Sequence, residues 1–133
     1  MNIGYEVPNA NEYVELIAAV GLHPRDGSIA AAVLSNSIFS VTIRDGNSKL
    51  IGMGRIIGDG GYHYQIVDVA VDPNHSGTDM LKVIMNEITD YLDLNAPKGA
   101  FVMIMAELSA IKLYNKYGFE LTYPNSMSMG KSQ

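Results

Sequence analysis

The feature that most limits the fold is the stretch from residue 62 to residue 106. Tyr62 to Val71 reads as a long strand, ended by Asp72-Pro73. Met80, Leu81, Ile84, Met85, Ile88 and Leu92 then recur every three or four residues, the stripe of an amphipathic helix, stopped near Asn95-Ala96-Pro97. A second strand follows from Ala100 to Ala106, and its run Phe101-Val102-Met103-Ile104-Met105 is apolar on both faces, which predicts a central place in a sheet. Strand, helix and strand in this order require a right-handed crossover and a parallel strand pair.

The elements before and after this unit are shorter. Ile3 to Val7 predicts a strand stopped by Pro8, and Tyr13, Leu16, Ile17 and Val20 predict a helix over 11–20 with Asn9 or Asn11 as its cap. Gly21 ends that helix, residues 22–27 form a loop, and Ser28 caps a second helix from Ile29 to Leu34. Strands over 38–44 and 50–57 meet at an Asp45-Gly46 turn, with Phe39, Val41 and Ile43 alternating against polar residues. A helix around 109–117 ends at Gly118, and the tail from Phe119 to Met129 has strand character broken by Pro124-Asn125. The order β-α-α-β-β-β-α-β-α-β describes one continuous mixed α/β domain over residues 1–133.

Composition narrows the function. Apolar residues make up 47% and charged residues 17% of the 133, which excludes a disordered chain. No apolar run approaches the ~20 residues of a membrane span. The start of the chain lacks the basic and apolar segments of a signal peptide, so a cytoplasmic protein is expected. Without cysteine there is no thiol nucleophile, and His23, His63 and His75 are too scattered for a metal site. A net charge of −5 argues against a nucleic-acid partner but leaves small anions open.

Two segments carry a family resemblance. One is Val67-Asp68-Val69-Ala70-Val71-Asp72-Pro73-Asn74-His75, followed by Ser76-Gly77-Thr78 and the long helix. The other is Ala110-Ile111-Lys112-Leu113-Tyr114-Asn115-Lys116-Tyr117-Gly118-Phe119-Glu120. Together, in this order and separation, they resemble the GNAT superfamily of N-acetyltransferases. The resemblance implies a single-domain α/β fold, a mostly antiparallel sheet with a splayed parallel strand pair and about four flanking helices. It also implies acetyl-CoA as cosubstrate. The pantetheine arm would lie in the splay like an added strand, held by the backbones of Val69 and Val71, with the Val69 amide aimed at the thioester carbonyl. The pyrophosphate would rest on the N-terminus of the following helix, over Ser76, Gly77, Thr78, Asp79, Met80 and Leu81.

That loop departs from the family pattern Gln/Arg-x-x-Gly-x-Gly/Ala. Ser76 stands at the first polar position, Asp79 and Leu81 at the two glycine positions, and Gly77 is the glycine that survives. A carboxylate at Asp79 repels phosphate, and Lys82 is placed to offset it. The alternative is a structural cap in which Ser76-x-x-Asp79 forms a capping box.

The resemblance assigns Tyr114 as the acid that protonates the departing thiolate. Counting four residues back from Val69 puts Gln65 where many relatives carry a basic glutamate, and His63 is the nearby residue with a suitable ordinary pKa. Regular alternation would set His63, Gln65 and Val67 on one face of the strand and Tyr64 and Asp68 on the other. His23, Arg25 and Tyr62 are candidates for the acceptor site, with Met127 and Met129 as an adaptable wall. The expected activity is transfer of acetyl to a primary amine of a small molecule or peptide by direct attack in a ternary complex. The alternative is a non-catalytic or weakly CoA-binding module, and the methionine-rich tail adds the expectation of a homodimer.

Overall fold

The computed structural model describes residues 1–133. Its elements, in chain order, are β1 (Asn2–Gly4), α1 (Ala10–Ala19), α2 (Gly27–Ser35), β2 (Phe39–Arg44), β3 (Leu50–Gly58), β4 (His63–Val71), α3 (Met80–Asn95), β5 (Phe101–Ile104) and α4 (Ile111–Asn115). Single 3-10 turns at Pro73–His75 and Leu108–Ala110 precede α3 and α4. The five strands form one sheet in the order β1-β2-β3-β4-β5, antiparallel throughout except for the parallel β4–β5 pair.

The helix starts follow local chemistry. Asn9 accepts from the Glu12 amide while the Glu12 carboxylate accepts from the Asn9 amide, so α1 opens on a capping box. The same Glu12 carboxylate takes a two-pronged contact from Arg44 at 2.7 Å per prong, fastening α1 to β2. The cap of α2 is Asp26 rather than Ser28, because the Asp26 carboxylate accepts from the Ser28 amide.

The helices cover both faces of the sheet. On one, α3 and Tyr114 of α4 bury Val41, Ile51, Ile56, Tyr64 and Ile66. On the other, α1 and α2 cover Leu50, Met53 and Ala70 with Tyr13, Leu16, Ile17 and Leu34. The stripe Met80, Ile84, Met85, Ile88 and Leu92 is buried along α3, as its spacing requires. α3 lies unusually close to β3, and two glycines make room for it. A β-carbon at Gly54 would sit 2.8 Å from Ile88 Cδ1 and 2.9 Å from Ile84 Cγ2, and one at Gly52 would sit 2.9 Å from Met80 Sδ.

Two expectations are corrected. β5 is not central: it is the last strand of the sheet, with one edge open and Phe101 half exposed. On its far side non-strand residues 118–122, rather than a further strand, flank it across a cavity. The tail from Phe119 forms no strand, so the last β of the expected order is absent and residues 119–133 lie in turns and coil.

Gly54→Ala should lower stability by about 1–3 kcal/mol through overpacking against Ile84 and Ile88, measured by urea denaturation at neutral pH.

Candidate active site

The site begins with a defect in a strand. Along the β3–β4 ladder Met53 pairs with Ala70 and Arg55 with Val67, so Asp68 and Val69 together face the single residue Gly54. This is a β-bulge, and Asp68 carries its cost by adopting φ +54°, a left-handed conformation that Asp and Asn tolerate better than other side chains. The extra residue also switches the strand's faces. Tyr64 and Ile66 point to the α3 side, whereas Asp68 meets α1 on the opposite side. The alternation expected to put Tyr64 and Asp68 on one face therefore fails at the bulge.

Beyond the start of the bulge β4 has one strand neighbour only. β4 and β5 pair from His63/Phe101 to Ile66/Ile104 and no further, leaving Val67–Val71 paired with β3 alone. The edge of Val67–Val71 on the β5 side therefore carries no strand partner.

A buried polar cluster holds the bulge in place. The Asp68 carboxylate accepts from Arg55 Nε at 2.7 Å, from the Tyr13 hydroxyl at 2.8 Å and from Arg25 Nη2 at 3.0 Å. Arg25 Nε also donates to the Tyr13 oxygen, and Arg55 Nη1 donates to Ser37 Oγ. Burial alone would raise the pKa of Asp68, but the hydrogen bonds from Arg55 and Tyr13 and the charge of Arg55 outweigh it and hold the carboxyl below its ordinary value. Asp68 is therefore an anion and not a proton acceptor. Arg25 was a candidate ligand for an acceptor carboxylate; its guanidinium is committed to Asp68 and Tyr13, with Nη1 uncommitted. Arg55, Tyr13 and Asp68 were not singled out from the sequence, although a lone Arg in β3 and a lone Asp in β4, both in apolar strands, are the trace of this pair.

The mouth of α3 does not form the capping box of the alternative reading. Ser76 closes the preceding 3-10 turn, donating its hydroxyl to Pro73 O, and Asp79 is the N-cap but makes no capping hydrogen bond. The Thr78 hydroxyl accepts from the Met80 amide at 3.3 Å, while Gly77 takes the left-handed φ of +84° that glycine adopts freely. The first helical hydrogen bond runs from the Val83 amide to Asp79 O, so the Leu81 and Lys82 amides stay free at the positive end of the helix. Asp79 is exposed and lies 3.6 Å from Lys82 Nζ, an ion pair within the helix mouth.

Tyr114 projects from α4 into the α3-side core, edge-on to Phe119 at 6.3 Å between ring centres. Its hydroxyl has no hydrogen-bond partner within the chain. Burial, with the charge of Glu107 in support, raises its pKa above the ordinary tyrosine value, so it keeps its proton at neutral pH.

Other candidates fall apart in space. His63 and Tyr62 lie at the far end of β4, where His63 pairs with Phe101. Six residues of extended strand put His63 roughly 20 Å from Val69, too far for a base acting at that amide. Tyr62 is exposed beside the Asp59 turn. Gln65 is nearer, on the face opposite Tyr64, and pairs with Ile57 and Met103. His23 sits in the α1–α2 loop two residues from Arg25. Met127 and Met129 are exposed on the tail rather than built into a wall. No three His, Asp or Glu side chains gather as metal ligands, and no helix is long and apolar enough to cross a membrane.

A family profile described as the acetyltransferase (GNAT) domain matches residues 26–130. The chain belongs to the GNAT family. A probable acetyltransferase of unknown function from meticillin-resistant Staphylococcus aureus is 36% identical, with a TM-score of 0.93 covering 99% of this chain and 98% of that one. A GNAT family acetyltransferase from Streptococcus pneumoniae, 23% identical, shares the fold with a TM-score of 0.77 over 99% and 98% of the two chains. Among curated sequences, an uncharacterised N-acetyltransferase, ycf52, of Pyropia yezoensis is 28% identical over 114 residues, or 84% of this chain. The match spans 64% of that relative's length.

Asp68→Asn keeps a side chain suited to the left-handed turn but leaves two guanidinium groups without their counter-charge. At pH 7 it should cost about 3–5 kcal/mol in urea denaturation. A carboxyl held below its ordinary value adds stability above about pH 4 that is lost as pH falls through its native value. The gap between parent and variant should therefore close in acid.

Proposed function

We propose that this single domain, residues 1–133, transfers an acetyl group from acetyl-CoA to a primary amine of a small molecule or peptide, by direct attack within a ternary complex. The observation that carries the reading is the half-paired end of β4: its ladder with β5 stops at Ile66, and Val67–Val71, paired with β3 alone, has a free edge for an extended ligand. The donor, as a substrate, supplies an activated thioester. The amine forms a C–N bond as the C–S bond breaks, and the Val69 amide donates to the carbonyl oxygen, an interaction of about 3–4 kcal/mol in comparable oxyanion sites. Tyr114 gives its proton to the departing thiolate. Gln65 cannot take the amine's proton, so it orders the water that does. His63 is not retained as a base.

For the rest of the donor, Val71 holds the arm, and Ser76, Gly77, Thr78, Asp79, Met80 and Leu81 surround the diphosphate, with donors from the free first-turn amides of α3. The amine enters from the α1–α2 loop, where His23 and the uncommitted Nη1 of Arg25 face it; an acceptor carboxylate suits Arg25. Tyr62, remote from the bulge, fits only the far end of a peptide acceptor. A cytoplasmic setting agrees with the need for acetyl-CoA.

A second reading, a module that binds CoA weakly without turnover, is favoured by the Asp79 carboxylate in the helix mouth and by the amide Gln65 in place of an acid. Release of free thiol with a panel of amines separates the two, because a module binds and releases none.

Acetyl-CoA at a hundredfold excess over its Kd should stabilise the protein by about 2.7 kcal/mol in thermal denaturation; no shift at millimolar ligand overturns both readings. Tyr114→Phe should lower kcat by about 10²-fold or more with little change in acetyl-CoA Kd. Because the Tyr114 pKa is raised, its proton should stay in place, and the rate should not fall on its account, up to about pH 10. Asp79→Asn removes a charge from the diphosphate's path and should tighten acetyl-CoA binding about fivefold, read by titration calorimetry at low salt.

A further inference from the structure

Acetyl transfer leaves one proton without a final holder. The attacking amine gives it to an ordered water, but hydronium is too strong an acid to persist, and a base within reach of that water must take it. Few acids border the free edge of β4. Asp68 is committed to Arg55, Tyr13 and Arg25 on the α1 side of the sheet. Asp72 accepts from the Asn74 amide and lies 3.6 Å from Lys49 Nζ. Asp79 is paired with Lys82, also at 3.6 Å.

The remaining acid is Glu107, in the segment that joins β5 to α4. β4 and β5 run parallel, and their last rung sets Ile66 opposite Ile104. Three residues beyond that rung, one chain reaches Val69 and the other reaches Glu107. The Glu107 backbone is extended (φ −64°, ψ 146°), and its carbonyl accepts from the Ala110 amide to start the 3-10 turn. Its carboxylate caps nothing, has no hydrogen-bond or ion-pair partner within the chain, and is exposed. Tyr114 is close by, because Ala106 and Ala110, on either side of Glu107, pack on the core cluster that contains it. The Glu107 charge also reaches the phenol, where it adds to burial in raising the Tyr114 pKa.

Building on the acetyl-transfer reading, we infer that Glu107 takes the amine's proton through one water and returns it to Tyr114 after each turnover. As the C–N bond forms, the proton leaves nitrogen for the water, and the water passes one to the Glu107 carboxylate. As the C–S bond breaks, the Tyr114 hydroxyl gives its proton to sulfur, which departs as the thiol. A carboxylic acid and a phenolate are left. The phenolate is much the stronger base, since ordinary tyrosine and glutamate pKa values lie about six apart. The proton therefore crosses from Glu107 to Tyr114, both groups are reset, and none is exchanged with solvent overall. The relay makes an amide at Gln65 compatible with turnover, because the acid that β4 lacks comes from the segment after β5.

Glu107→Gln should lower kcat about 10²-fold or more, with acetyl-CoA Kd and melting temperature as in the parent. Glu107→Ala should be equally slow and regain rate in added formate, and Glu107→Asp should keep part of the rate. A Glu107→Gln protein as fast as the parent overturns the relay alone, since the parent's turnover still supports acetyl transfer. A loss that neither formate nor Glu107→Asp restores makes the carboxyl a structural group and likewise overturns it. A parent that turns over no amine overturns the acetyl-transfer reading and the relay with it. The Tyr114 phenol gives a readout independent of turnover. With carbon-13-labelled tyrosine, and Tyr114→Phe to assign the signal, Glu107→Gln should bring its NMR titration to lower pH. An unmoved titration puts the carboxylate out of range of the phenol and overturns the relay whatever the rates.

Discussion

One carboxylate decides the shape of the sheet. Asp68 sits where β4 has a residue too many, in a backbone conformation that costs energy, and it is kept there by two guanidinium groups and a phenol. Each partner comes from a different element: Tyr13 from α1, Arg25 from the α1–α2 loop and Arg55 from β3. A buried ion cluster of this kind adds little net stability over apolar packing, because desolvation offsets the attraction. What it contributes here is a defined local geometry in the one strand that must depart from its neighbour.

The crossover unit was legible because its signals are local and strong. An apolar stripe at helical spacing between two apolar strands leaves little freedom in topology, and α3 and its buried residues follow it closely. The cap at Asn9 was legible for the same reason. The role of β5 was misread because apolar residues in a strand do not report the number of its strand neighbours. The bulge was hidden because alternation assumes that no residue is inserted, and a single αL residue reverses every later side chain.

At the candidate site the sequence carried the backbone better than the side chains. Val69, Val71 and Tyr114 lie on the elements that the family pattern assigns to them. His63 and Tyr62 were grouped with them by proximity in sequence, and extended strand turns such proximity into roughly 20 Å. The cluster around Asp68 draws on residues 13, 25, 55 and 68, and no short motif can encode contacts of that range. The helix mouth was half legible: the lost glycines are visible in the sequence, but the pairing of Asp79 with Lys82 and the release of Ser76 to the preceding turn depend on where the helix begins.

Gly54 stands at the junction of these parts. It is the residue opposite the bulge, and its bare α-carbon is where α3 comes down on the sheet through Ile84 and Ile88. The strand defect and the helix start are therefore locked at a constant separation through a rigid stretch of core. Under the proposed use of acetyl-CoA, such a frame would act as a gauge for a long donor, engaging both ends only of a carrier whose reactive tip and charged head are spaced to the same length.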